Sequence, residues 1–226
     1  MKNRNLFSLI ALTLLAQACS STPKGGSDSP SRKDVEPDYI LRERSHNSPP
    51  QWALDFHSYR DSNGGKGMHY FFGDSGLVHD RIGGCEFADL QSKRRIAQQI
   101  ASLISSKAGS ARSGQLFADV SGSESPGMRK HFEDTVAGES LAFLSGVRQQ
   151  GTYWEARDYS KTGGLREVYL CSVLSAIDDQ DLKNAIRRTA QRTSEVVEDP
   201  EAKSAVKDLL KNLDQEMKNF IPRLSQ

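Results

Sequence analysis

A long amphipathic stretch at residues 86–107 sets the strongest limit on what this chain can fold into. Phe87, Leu90, Ala97, Ala101 and Ile104 recur at steps of three, four or their sum, and Ile96, Ile100 and Leu103 widen the stripe. That is a helical period held for about six turns. A helix this long with one apolar face needs a sheet or a layer of helices of similar length to cover it. Lys93, Arg94 and Arg95 fall on the solvated side, where one of them is placed to pair with a carboxylate at a sheet edge.

The flanking sequence supplies strands for that cover. The globular pattern starts at Pro49-Pro50-Gln51-Trp52, and a glycine-rich turn follows at 62–67. Residues 68–73 (MHYFFG) are short, aromatic and bounded by glycines, as a strand is, and Gly73-Asp74-Ser75-Gly76 reads as a tight turn closing it. Two more strands are expected at 144–157 and 166–174, joined by a hairpin signal at Ser160-Lys161-Thr162-Gly163-Gly164. The near-continuous apolar run at 168–174 suits a central strand. Between helix and hairpin, residues 108–130 are rich in Gly and Ser, with one apolar run at 116–120 of undecided state, and a second helix is expected from near Met128 to Leu141.

From 178 onward the pattern is helical. Asp178 or Asp179 can cap a helix bearing Leu182, Ile186 and Ala190, and Asp199-Pro200 restarts it in the N-cap and first-turn arrangement. Val206, Leu210, Leu213, Met217 and Phe220 then recur at four, three, four and three, an a/d-like seam. The seam suits either packing on its own domain or docking onto another subunit. The fold class expected is α+β: a small antiparallel sheet with one long packed helix, plus a C-terminal helical extension.

The N-terminus carries an address. Lys2 and Arg4 precede an apolar run from Leu6 to Ala16, the layout of a secretory signal. The run ends Leu14-Leu15-Ala16-Gln17-Ala18-Cys19, which resembles a bacterial lipobox with small residues before the cut and cysteine at the new N-terminus. The resemblance implies a diacylglycerol thioether on Cys19 and an acyl chain such as palmitate on its amine, enough for stable anchoring. Ser20, rather than Asp, favours the outer membrane over retention in the inner one. Residues 1–18 therefore read as signal peptide, 19–48 as a lipidated N-terminus and polar tether, 49–190 as the α+β domain and 191–226 as the helical extension.

Composition excludes several partners. The chain has 30 basic and 29 acidic residues, and the signal removes Lys2 and Arg4 and no acid, so the mature protein is near neutral. Nucleic-acid binders show a basic excess or stripe, and neither is present. No second apolar run approaches the ~20 residues of a spanning helix. Catalytic fragments are weak. His57, Asp61 and Ser75 lie too close in sequence for a serine-protease triad on a double barrel, and the five histidines have no metal-ligand spacing. Gly64, Gly65 and Gly67 lack the Lys-Ser/Thr of a phosphate loop, while Gly83-Gly84 reads as a turn before the long helix. Nothing fixes any two of Glu133, Asp134, Glu139, Glu155 and Asp158 at the separation a glycosidase uses. No metal, cofactor or enzymatic activity is expected. Cys85 and Cys171 remain once Cys19 is acylated; in an oxidising compartment they form either a disulfide or two buried thiols.

The order of features resembles the twenty-kilodalton lipoprotein family of bacterial outer-membrane proteins, whose relatives include a lipoprotein of the flagellar basal disk. The features are the Cys19 motif, Pro50-Gln51-Trp52 after a polar segment, the strand ending Phe71-Phe72-Gly73, the helix at 86–107, Phe143-Leu144-Ser145-Gly146-Val147 as a strand start, Trp154, and Val168-Tyr169-Leu170 before an acidic helix start. The likeness spans roughly 49–190. It implies a small α+β domain held at the outer membrane, with envelope proteins or further copies of itself as partners and no nucleic acid. The alternative is an enzyme, or an enzyme activator, working on cell-wall polymer.

Overall fold

The computed structural model describes residues 38–64, 67–110, 126–163 and 167–220. The described strands form one antiparallel sheet in the order β1-β3-β4-β2, from β1 (Ile40–Arg44), β2 (Met68–Val78), β3 (Arg148–Asp158) and β4 (Val168–Asp178). The α+β expectation holds, with β4 central and almost entirely buried. One face is crossed by α3 (Arg81–Ser110), the long helix. Behind it pack α4 (Pro126–Phe143), α5 (Asp179–Val196), α6 (Pro200–Lys211) and α7 (Leu213–Phe220). The other face is partly covered by two short helices, α1 (Gln51–Leu54) and α2 (Phe56–Asn63).

The approach of α3 to the sheet is unusually close, and small residues permit it. A Cβ on Gly73 of β2 would stand 1.9 Å from the Ala88 carbonyl oxygen, and one on Gly84 of α3 would stand 2.5 Å from Val78 Cγ2. The buried line of the helix accordingly starts Gly84, Ala88, Ser92, Ile96, and widens to Ile100, Leu103 and Ile104 once past the sheet contact. Ser92 and Ser175 share a buried hydrogen bond of 2.7 Å across the contact. This rotates the helix from the expected phase: Phe87, placed in the apolar stripe by spacing, is 43% exposed. Cys85 and Cys171 are joined by a disulfide that ties the first turns of α3 to β4. Closing a loop of 86 residues contributes about 2–5 kcal/mol in the chain-entropy account.

Several expected boundaries move. The turn expected at 73–76 is strand instead: Gly73 and Asp74 still pair with β4, and a β-bulge follows, where the register shifts between Asp74 and Leu77. The Cys171 N–H donates to Ser75 Oγ at 2.9 Å, and that hydroxyl donates to the Gly76 carbonyl at 2.7 Å, so a side chain replaces the displaced ladder acceptor. Gly83 and Gly84 lie in the first turn of α3, where the Asp80 carboxylate accepts from the N–H groups of Ile82 and Gly83. Residues 144–147 form a loop before β3; Gly146 adopts φ +75°, and a Cβ there would meet Asp181. The apolar run at 116–120 lies outside the described residues.

The span read as tether, 19–48, contains β1, which pairs with β3 from Ile40↔Asp158 to Arg44↔Glu155. Alternation is weak in Ile-Leu-Arg-Glu-Arg, and its side chains do not build a core. What holds it is polar: Arg42 donates to Asp158 from both Nε and Nη2, and Ser45 exchanges bonds with the Trp154 backbone. Hydrogen bonds from Ser160 and the Arg42 guanidinium hold the Asp158 carboxyl well below the usual carboxylate range.

Two predictions test this framework. Gly73→Ala should destabilise the oxidised protein by at least about 2 kcal/mol in urea unfolding, because backbone and not a flexible side chain occupies the space. Asp158 ionises at lower pH folded than unfolded, so its contribution is complete above about pH 4 and is lost as pH falls further. Asp158→Asn should therefore lose less stability than the parent between pH 5 and pH 2, measured by denaturant unfolding at each pH.

Candidate functional site

The residues singled out by sequence do not converge on one place. Cys19 lies outside the described residues. Cys85 and Cys171 are spent in the disulfide. In the C-terminal seam, Val206, Leu213 and Met217 are buried in the main core and Leu210 packs against it, while Phe220 ends α7. The seam thus packs on its own domain, one of the two arrangements its spacing allows, and the segment expected as an extension completes the core. Two short helices broken at Asn212 cover one side of α3 and α5.

The catalytic-looking fragments are also dispersed. Glu155 and Asp158 project from opposite faces of β3 by strand parity, and each is engaged. Glu155 accepts from Tyr153 Oη at 2.5 Å and Arg157 Nε at 2.7 Å; burial, then this bond, pushes the Tyr153 phenol well above its ordinary range and keeps it a donor. The Ser75 hydroxyl is consumed by the bulge. Among the described residues no group of three or more His, Cys, Asp or Glu side chains could hold a metal ion, and no helix is long and apolar enough to cross a membrane.

A different surface is built at the edge of β2. Asp55 caps α2: its carboxylate accepts from Ser58 Oγ and N–H, which hold it below its usual pKa, and this sets the start of the helix. Phe56 and Arg60, one turn apart, then share a face, with the guanidinium carbon 5.5 Å from the ring centroid. Strand parity puts Tyr70 and Phe72 on the same side as α2, where Phe72 lies 5.7 Å from Phe56 and Tyr70 lies 5.6 Å from Tyr59. Trp52 seals the inner end, 6.4 Å from Phe72 and in contact with Gly151, where any Cβ would crowd its ring.

From the opposite face α3 contributes Arg95, Gln98 and Gln99. Arg95 reaches around the strand, 3.3 Å from Asp74 and 5.7 Å from the Phe72 centroid. This is the pairing expected of one cation in the 93–95 cluster with a sheet-edge carboxylate. The result is a groove of about 340 Å³ straddling Tyr70–Phe72, walled by aromatic rings, Arg60, Arg95 and His57, with no carboxylate among its lining residues. The Gln99 amide oxygen is buried there without a hydrogen-bond partner. Asp61 and Asp74 flank it, each 3.3 Å from its arginine; the Arg95–Asp74 pair is exposed and contributes little, whereas the Arg60 side chain is largely covered. The sequence signal is the aromatic strand 70–72; the convergence of α2 and α3 on its edge is a tertiary fact.

A scan against protein-family models, a search of curated proteins and a search of solved structures each returned no match.

If the seam is core, Met217→Ala should cost about 2–5 kcal/mol of stability, with a lower urea midpoint in a monomeric sample. An unchanged midpoint would restore the docking-helix reading.

Proposed function

We propose that this chain is an outer-membrane-anchored lipoprotein facing the periplasm, with a structural or binding role in an envelope assembly and no enzymatic chemistry of its own. The observation that carries the reading is the segment 1–19: a basic start, an apolar run and Leu-Leu-Ala-Gln-Ala-Cys. Acylated Cys19 would hold the protein at the membrane, and the folded unit beginning at Asp38 would be presented from it. Eighteen residues, 20–37, separate the two and set a maximum reach of about 60 Å. The near-neutral mature charge gives an anionic leaflet little hold on the domain, so attachment rests on the lipid.

The reading also draws on the likeness of the sequence features to the twenty-kilodalton lipoprotein family, from the Cys19 motif to the acidic helix start after Val168-Tyr169-Leu170. An edge groove rich in aromatic and cationic groups suits a domain that recognises a partner. Binding would be to protein in the envelope or to further copies of this chain.

Cys19→Ala is expected to shift the protein from the membrane pellet to the soluble periplasmic fraction after a high-salt wash, and to abolish incorporation of labelled palmitate. Retention of the variant in the pellet would overturn the anchor.

A further inference from the structure

We propose that the outer edge of β2 at Tyr70–Phe72 is a strand-addition site for an extended peptide segment of a partner protein carrying a carboxylate. The proposal rests on the binding role just described and names its partner's chemistry. Its first support is the direction of the backbone. Asp179 N–H donates to the Gly67 carbonyl, in the same register that pairs Met68 with Asp178 and Phe71 with Ser175. Antiparallel ladders alternate, so residues 67, 69, 71 and 73 point their N–H and C=O groups at β4, and 68, 70 and 72 point theirs away. The Cys171 N–H agrees: it faces residue 75, the next in that series, and finds the Ser75 hydroxyl. The polar backbone of Tyr70 and Phe72 therefore forms the floor of the groove, on an outer strand with no neighbour among the described residues.

The second support is the contrast between the two edges. β1 has the features that block pairing: five residues, a register shift, and Arg42, Glu43 and Arg44 in sequence. β2 is protected only in its far half, by the bulge at 74–77. Its near half offers aromatic side chains and open backbone, as strand-addition sites do. The third support is charge. Arg60 and Arg95 stand on the two walls, with His57 beside them and no lining carboxylate. An incoming carboxylate would compete with the exposed 3.3 Å contact of Arg95 to Asp74 and could approach the edge of the more covered Arg60 guanidinium.

The test uses the mature acylated protein in detergent and three pools of acetylated heptapeptides with alternating β-branched residues, bearing at the centre Glu or Asp, Gln or Asn, or Lys. The acidic pool should be retained at least tenfold over the amide and lysine pools. Retained peptide should slow hydrogen exchange at the Tyr70 and Phe72 amides at least tenfold and leave the already bonded Phe71 amide unchanged. Arg60→Gln with Arg95→Gln should erase the acidic preference. Tyr70→Pro, which removes an outward N–H tolerated on an edge strand, should abolish retention while circular dichroism stays native. If Tyr70→Pro unfolds the protein, the exchange pattern and the arginine pair decide alone. Equal retention of all three pools, unaltered exchange at Tyr70 and Phe72, or protection of those amides in a peptide-free dimer would each overturn the proposal. So would protection by soluble wall-glycan fragments without any by peptide. None of these results touches the Cys19→Ala fractionation, so this inference and the anchor can fail separately.

Discussion

The close contact of α3 with β2 and β4 is the constraint on which the rest of this structure depends. Helix and sheet normally stand about 10 Å apart, separated by side chains. Here Gly73 meets the Ala88 backbone directly, Gly84 meets Val78, and a serine pair and a disulfide bridge the remaining gap. A helix held this near cannot use large residues on its sheet-facing side. Its Ile and Leu side chains are displaced toward the later turns, where α4, α5, α6 and α7 gather around them. The core is thus lopsided: small and polar where helix meets sheet, large and aliphatic behind.

That asymmetry explains which features are legible in the sequence and which are not. Propensity and capping are local, so the long helix, the hairpin, the central position of β4 and the caps at Asp178 and Asp199 are all legible. The phase of α3 is not, because counting apolar residues favours Phe87 over Gly84, Ala88 and Ser92. A line of small residues at i, i+4 and i+8 is the signature of close backbone approach, and it is present in the sequence. β1 escapes because its hold on the sheet is an arginine-carboxylate contact to a residue 116 positions away. The seam at 206–217 is legible as apolar, but periodicity does not say whether the surface it covers belongs to the same chain.

The groove at β2 is the least legible part. Tyr70 and Phe72 signal a strand, and Phe56 and Arg60 a helical face, yet nothing in either segment announces that they meet at an edge. Arg95 adds a third element, carried there by the tight seating of α3. The same contact that excludes bulk from the helix face therefore brings a guanidinium around the outer strand. Ser75, whose sequence neighbours resemble a protease fragment, contributes instead by ending regular pairing just beyond the groove.

The strand order has a mechanical consequence. The chain enters the folded unit through β1, and β2 is the opposite margin of the sheet, three strand spacings or about 14 Å away. Any pull transmitted along the N-terminal segment loads β1 first, against the Arg42–Asp158 clasp and the Ser45 bonds to Trp154. With the β2 edge held, the load passes in series through the three ladders, and the β1–β3 ladder is the shortest of them. A grip on the β2 edge would therefore survive tension strong enough to strip β1, making the first strand a sacrificial link rather than part of the hold.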